Sequence, residues 1–223
     1  MKIYFLLALL VLALASGEVI RQGAQTLGRL NVVEQERDMW QRPNDVLQAL
    51  NLRSGAAVED VGSGAGYFAL KMARSVGSAG TVLAVDTKAE SLVFLFIRAH
   101  REGLRAIRIV HRDAADPGVT ADSSLDAVLI CNTYHELILP DRILDSARRS
   151  LRRGGRLVIL DRGPESASDP SWQSGLRQHE VPSELVQQTV RSHGFEILSV
   201  DNRFILGKPD SDDQWWLLVA RKP

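Results

Sequence analysis

A glycine-rich junction between an apolar run and a helix-like pattern constrains the fold of this chain more than any other feature. The run Val58-Glu59-Asp60-Val61 leads into three glycines at alternate positions, Gly62, Gly64 and Gly66, and a new pattern begins at Tyr67. Glycine tolerates positive φ and lets the backbone pass close to a bound molecule. A helix that starts after such a loop presents free backbone N–H groups. The sequence therefore predicts a strand, a loop that lies against a ligand, and a helix.

A second apolar run, Thr81-Val82-Leu83-Ala84-Val85, ends in Asp86, which lies twenty residues after Gly66. An acidic residue at this spacing suits the two hydroxyls of a ribose. The dinucleotide fingerprint G-x-G-x-x-G needs its third glycine where this chain has Tyr67. The two features together indicate a nucleoside cofactor and disfavour NAD.

The loop and Asp86 resemble motif I and the following acidic position of the class I S-adenosylmethionine-dependent methyltransferases. The resemblance covers about residues 45–220. It implies S-adenosylmethionine as cofactor and S-adenosylhomocysteine as product. It also implies that Asp113 accepts the adenine amino group, with Asp116 as the competing candidate. The implied cofactor-binding residues are Asp60, Gly62, Ser63, Gly64, Gly66, Asp86, Thr87, Asp113, Ala114 and Asn132.

Strand and helix patterns alternate from residue 56 onward. Strands are predicted at 56–61, 81–85, 106–110, 125–131 and 155–161, and helices at 66–76, 88–102, 141–152 and 183–193. Two further strands, near 195–201 and 215–220, follow each other with no helix between them. Buried apolar strands that alternate with helices indicate a parallel sheet covered on both faces. We therefore expect an α/β fold with a Rossmann-like, doubly wound sheet of seven strands, mostly parallel, with a C-terminal antiparallel hairpin.

The segment after the fourth predicted strand carries the candidate catalytic residues. It reads Asn132-Thr133-Tyr134-His135-Glu136, and in the resembled family this segment lies beside the transferred methyl group. An oxygen or nitrogen acceptor that carries a proton needs a base within hydrogen-bond reach. His135 is the best candidate because imidazole titrates near neutrality. Glu136 is predicted to orient it or to replace it, and Tyr134 to position the acceptor.

The sequence argues against a bound metal. A magnesium-dependent O-methyltransferase of the catechol kind would have Asp where this chain has Asn132, and an Asp-Asn pair where it has Asp161-Arg162. No metal ligand is therefore predicted. The alternative is a metal site, which would form if one end of the sheet brought together His111, His135, Glu136 and Asp161.

The N-terminus has the pattern of a secretory signal peptide: Lys2, a dozen mostly apolar residues, and Ala13-Leu14-Ala15. We expect export, to the periplasm or the secretory route, if this segment is cleaved, and otherwise a membrane-anchored or cytoplasmic protein. The predicted organisation is a signal or hydrophobic segment at 1–15, a helical extension or lid at 16–50, and a methyltransferase domain at 51–223. Pro43 is predicted to break the extension, and Asn44 to cap a short helix through Leu50.

The balance of charges in the chain limits the kinds of molecule that we expect it to bind. The chain has 27 basic and 27 acidic residues among its 223, so its formal net charge is zero and no basic footprint for nucleic acid is expected. A membrane is expected as a partner only through an uncleaved N-terminal segment.

We predict methyl transfer to a small or medium-sized acceptor through its oxygen or nitrogen. The alternatives are a non-catalytic S-adenosylmethionine-binding protein and a nucleotide-dependent oxidoreductase. The oligomeric state is not predicted.

Overall fold

The computed structural model of the protein describes residues 2–112, 123–170, 179–206 and 214–223. The predicted adenine contacts, Asp113 and Ala114, and the competing Asp116 lie outside the described residues. The chain divides into two compact units, Met1–Met39 and Trp40–Pro223.

The first unit consists of most of one long helix, α1 (Lys2–Trp40). The helix runs without a break through the apolar N-terminal segment and the predicted helical extension. An exposed ion pair one turn apart, Arg21 with Glu18, lies on its surface. Among the residues that the structure describes, no helix is both long and apolar enough to cross a membrane. The predicted lid role of residues 16–50 stays a prediction.

A seven-stranded sheet forms the centre of the second unit, in the order β3-β2-β1-β4-β5-β7-β6. The strands β1 to β5 run parallel, and β7 is antiparallel to both of its neighbours, β5 and β6. The predicted fold is thus confirmed, including the C-terminal hairpin. The strands are β1 (Ala57–Val61), β2 (Thr81–Asp86), β3 (Ile107–His111), β4 (Leu125–Cys131), β5 (Leu151–Arg162), β6 (Glu196–Leu206) and β7 (Gln214–Arg221).

Helices cover both faces of the sheet because its strands are apolar on both sides. Val46 and Leu70 belong to one core cluster with Trp215, and Leu144 and Val190 belong to the other with Trp216. The two tryptophans of β7 therefore pack on opposite faces, as adjacent strand residues must. The helices are α2 (Pro43–Leu50), α3 (Tyr67–Val76), α4 (Ala89–Arg101), α5 (Pro140–Ser150) and α6 (Ser183–Ser192).

Two local predictions are corrected. Helix α2 begins at Pro43 after Arg42, which has φ 53° and makes no side-chain cap, so Asn44 lies inside the helix and does not cap it. Strand β5 begins at Leu151, four residues before the predicted start. It extends because Leu151 pairs with Leu125 and because the backbone of Gly154 and Gly155 hydrogen-bonds Lys222 at the C-terminus.

The strand order reverses direction between β1 and β4, which lie side by side although 63 residues separate Val61 from Leu125. In open α/β sheets, ligands bind beyond the carboxyl ends of the strands at such a switch point. The loops after β1, β2 and β4 meet at this edge, so the fold brings the predicted cofactor loop, Asp86 and the segment 132–136 together.

Candidate functional site

The loop between β1 and α3 is held by the backbone of its neighbours. The N–H groups of Gly62 and Ser63 both donate to the Val85 carbonyl, at 2.9 and 3.0 Å, and the Gly66 N–H donates to the Ser63 carbonyl. The Arg98 guanidinium, from α4, donates to the Ala65 carbonyl at 2.7 Å. These bonds leave the loop in one shape before any ligand arrives.

The three glycines have different reasons to be glycine. All have positive φ: 75° at Gly62, 54° at Gly64 and 96° at Gly66. A Cβ at Gly62 would lie 2.2 Å from Thr133 Oγ1, and one at Gly66 would lie 2.3 Å from Leu95 Cδ1. A Cβ at Gly64 would meet no atom of the described residues within 4 Å. Gly62 and Gly66 therefore allow close packing, whereas Gly64 faces open space that a ligand can occupy.

Asp86, the last residue of β2, links this loop to the next one. Its Oδ2 accepts the Gly64 N–H at 2.7 Å and its Oδ1 accepts the Lys88 N–H at 2.8 Å. Each carboxylate oxygen has a second lone pair, which is free to accept from a diol. The side chain is thus held in a fixed orientation that suits the predicted ribose contact.

A cavity of about 330 Å³ opens at this edge of the sheet. Its volume falls in the range of about 300–1,000 Å³ that small-molecule sites occupy. Six of the predicted site residues line it: Gly62, Gly64, Asp86, Thr87, Asn132 and Glu136. Apolar side chains from β4 and α5 and the exposed Ile138 complete the wall. The residues present therefore fit S-adenosylmethionine, with a close backbone approach at Gly64 and a carboxylate beside it.

The cavity also contains two residues that the sequence reading missed. Glu59 lies on β1, only 7% exposed, and Arg112 follows β3. Burial raises the pKa of the Glu59 carboxyl to about 7, and the nearby Arg112 charge opposes this rise. The sequence does contain a signal for Glu59, because this residue is charged within an otherwise apolar strand. Such a side chain must face either a cavity or a partner.

Five predicted site residues lie away from the cavity wall, and one of them is His135. Asp60 and Ser63 are buried, and Gly66 packs against Leu95. Tyr134 belongs to the core on the α5 and α6 face, and burial raises the pKa of its hydroxyl to about 12. The structure thus does not bring Tyr134 to the cavity, because the turn that carries it, a 3-10 helix at Tyr134–Glu136, directs it into the core.

His135 is held by Asp161, at the end of β5. The two side chains are 1% and 0% exposed, and His135 Nδ1 lies 2.7 Å from Asp161 Oδ1. The same carboxylate accepts the His135 and Arg162 backbone N–H groups, at 3.2 and 2.8 Å. Since a carboxylate with these donors acts as an acceptor, Nδ1 carries a proton, and in the neutral ring Nε2 then bears the lone pair.

His135 Nε2 faces two further side chains. It lies 3.7 Å from Glu136 Oε1, and the His179 ring lies edge-on, with its centroid 6.1 Å from that of His135. One donor atom from each of the three residues lies within 4.8 Å of the others. His111, which the sequence reading grouped with His135, instead contacts the Thr87 carbonyl through its Nε2 at 3.0 Å.

Comparison with known proteins agrees with this geometry. Residues 59–159, just under half of the chain, match the family model described as "Methyltransferase domain". This segment includes the glycine loop, Asp86 and the His135 turn.

Two curated relatives are methyltransferases. The chain is 29% identical over 128 residues to the ubiquinone/menaquinone biosynthesis C-methyltransferase UbiE of Haemophilus ducreyi, a match that covers 55% of this chain and 47% of the relative. It is 35% identical over 143 residues to the arsenite methyltransferase of Aquipseudomonas alcaligenes, covering 60% and 40%. The chain thus spans less than half the length of each of these relatives.

The fold is shared with solved methyltransferase structures. A SAM-dependent methyltransferase from Aquifex aeolicus superposes with a TM-score of 0.69 at 20% identity, and the match covers 88% of this chain and 98% of that one. The domain match over residues 59–159, the sheet topology and the glycine loop together make the chain similar to the class I S-adenosylmethionine-dependent methyltransferases.

Proposed function

We propose that the protein transfers a methyl group from S-adenosylmethionine to a small or medium-sized acceptor through an oxygen or nitrogen atom. The observation that carries the proposal is the cavity at the switch point, where Gly64 leaves open space beside the fixed Asp86 carboxylate. The limited volume of the cavity and the zero net charge of the chain favour a small molecule over a polynucleotide as the acceptor.

The bound sulfonium supplies a methyl carbon that is already activated, so this chain has to align the acceptor and exclude water. The backbone of the glycine loop and the Asp86 carboxylate hold the donor. Thr133, Leu137 and Ile138 line the cavity beside Asn132 and supply both a hydroxyl and an apolar wall for the acceptor. The acceptor's lone pair forms the new bond to carbon, and the sulfur keeps the electron pair of the bond that breaks.

His135 is the proposed base for the acceptor's proton. Asp161 holds the imidazole with Nδ1 protonated, which leaves Nε2 able to take a proton. Glu136 lines the cavity and lies 3.7 Å from Nε2, so this carboxylate connects the cavity to the buried ring. Asp161 would then stabilise the imidazolium that forms.

The proposal is tested first by binding. Isothermal titration calorimetry of the purified chain should detect S-adenosylmethionine and S-adenosylhomocysteine but no NAD. Transfer of an isotope-labelled methyl group to a fractionated small-molecule extract should then yield a labelled product. Binding without transfer to any fraction would favour a non-catalytic binding protein, and absence of binding would overturn the proposal.

The base is tested by His135→Ala. Loss of a general base typically lowers turnover by about 10²-fold or more. We expect a drop of this order, with affinity for S-adenosylhomocysteine changed by less than about threefold, because the ring does not line the cavity. The matched control is His100→Ala, an exposed histidine on α4 that should change neither quantity. Equal losses of turnover and affinity in His135→Ala would instead assign the ring a structural role.

A further inference from the structure

We propose that His135, Glu136 and His179 form a binding site for a divalent transition-metal ion of the zinc kind. The site lies at the turn that follows β4, and its Glu136 also lines the cavity. It brings together residues from two parts of the chain that are 43 positions apart, which the fold places side by side.

The first argument is the lone pair of His135. With Nδ1 protonated toward Asp161, Nε2 of the neutral ring is an acceptor, and it is buried with no hydrogen-bond donor among the described residues. The polar atom nearest to it in an ion pair or hydrogen bond is Glu136 Oε1, at 3.7 Å, which is also an acceptor. A cation placed between the lone pair of the neutral ring and the Glu136 carboxylate would be attracted by both.

The second argument is the third donor. His179 brings a ring nitrogen to the same point, within 4.8 Å of the other two donor atoms. Ligand atoms around a tetrahedral zinc ion lie about 3.4 Å apart, since each lies about 2.1 Å from the metal. The exposed Glu136 and His179 side chains can close this difference by rotation, while the buried His135 ring stays fixed.

The third argument is the support behind the fixed ligand. Metal-binding histidines usually donate their second ring N–H to a carboxylate, which orients the ring. Asp161 accepts such a bond here at 2.7 Å and is itself held by two backbone N–H groups. Two imidazoles with one carboxylate suit zinc, cobalt or nickel and do not suit magnesium, which prefers oxygen ligands.

Metal binding would affect the reaction, a consequence that rests on the proposed function, whereas the binding itself does not. A nitrogen that holds a metal ion cannot accept a proton at the same time. The metal-loaded protein would therefore lack its base, and loading would switch off transfer to acceptors that must lose a proton. His135 and His179 are not among the residues that line the cavity, so we expect donor binding to persist.

The experiment is a titration of the full chain with Co²⁺, after removal of any purification tag that contains histidines. We expect visible d–d absorption bands that saturate at one equivalent and disappear when Zn²⁺ is added. His179→Ala should weaken Zn²⁺ binding at least tenfold in competition calorimetry, and Glu136→Gln should also weaken it. The control is again His100→Ala, whose Zn²⁺ affinity should match that of the wild type.

The outcomes separate the metal site from the proposed function. Affinity for S-adenosylhomocysteine, measured on His179→Ala, confirms that this variant is folded and reports on the donor site, because His179 is not among the residues that line the cavity. Absence of the cobalt bands in a chain that binds S-adenosylhomocysteine would overturn the metal site and leave methyl transfer intact. Equal Zn²⁺ affinity in His179→Ala and the wild type would overturn it as well.

Discussion

The Asp86 side chain both holds the backbone of two loops and faces the cavity. It joins the cofactor loop to the start of the next loop through the Gly64 and Lys88 N–H groups, and it presents its remaining lone pairs to the cavity. Its spacing from the glycines was visible in the sequence. Its bond to Gly64 was not, because that bond depends on the pairing of β1 with β2.

Asp86→Ala should therefore lower the affinity for S-adenosylmethionine by at least about tenfold. A lost charge-assisted hydrogen bond in a site of this kind costs about 1.5–3 kcal/mol. The measurement is calorimetry, with Glu90→Ala as the control because Glu90 is an exposed acid at the start of α4. Unchanged affinity in Asp86→Ala would refute the ribose assignment.

Glu59 makes stability depend on pH. The pKa of its carboxyl is raised by burial to about 7 in the folded protein, whereas an unfolded glutamate titrates near 4.3. Between these two values the folded state binds more protons than the unfolded state. This contribution to stability is fully present below about pH 4 and is lost as pH rises through about 7, and it amounts to about 4 kcal/mol.

Glu59→Gln removes this titration, so the variant should gain stability relative to the wild type as pH rises from 5 to 8. The measurement is urea unfolding of both proteins at each pH, and the difference between them isolates Glu59 from all other groups. Glu196→Gln is the control, because Glu196 is an exposed acid on β6. A difference between Glu59→Gln and the wild type that does not change with pH would contradict the assignment.

At the scale of elements, the glycine loop and the turn after β4 are built as one unit. Thr133 occupies the space that a side chain at Gly62 would need, and Leu95 of α4 does the same at Gly66. The hydrophobic periodicity of the sequence predicted β1, the glycine loop and α3 within one or two residues of their observed bounds. It could not tell the three glycines apart, because their difference lies in what each one touches.

Gly64→Ala and Gly66→Ala should separate binding from folding. Gly66→Ala meets Leu95 and retains an unfavourable φ, so we expect a loss of stability of about 2 kcal/mol. Gly64→Ala meets no atom and should cost about 1 kcal/mol from its positive φ alone. Its added methyl group lies at the cavity wall, so cofactor affinity should fall at least about tenfold.

Urea unfolding and calorimetry on both variants provide the measurements. Gly28→Ala is a suitable control, because Gly28 lies within α1 with open space around it and no positive φ. If Gly64→Ala bound the cofactor as tightly as the wild type does, the ligand would not approach the loop at this residue.

At the scale of the whole molecule, the N-terminal segment raises a separate question. The structure continues a helix from Lys2 to Trp40, through the predicted cleavage pattern Ala13-Leu14-Ala15. A signal peptide can be helical before it is removed, so the helix and the cleavage prediction are compatible. We propose that the chain is exported and cleaved after Ala15.

The mature protein should then begin at Ser16, as measured by N-terminal sequencing and intact mass of material from the natural host. Ala15→Arg should block cleavage, since the residue before the cut has to be small. A wild-type chain recovered with its full mass of 24.6 kDa would contradict the proposal.

The sequence by itself determined the order and type of the strands and helices, the cofactor loop and the position of Asp86. These depend on local periodicity, on glycine's conformational freedom and on short spacings, which neighbouring residues express directly. Tertiary structure alone decided what surrounds each side chain. It buried Tyr134, placed Glu59 and Arg112 in the cavity, and selected the pair His135 and Asp161, without His111, from the gathering that the sequence left as an alternative. Such contacts join residues far apart in the chain, and only the pairing and packing of whole elements brings them together.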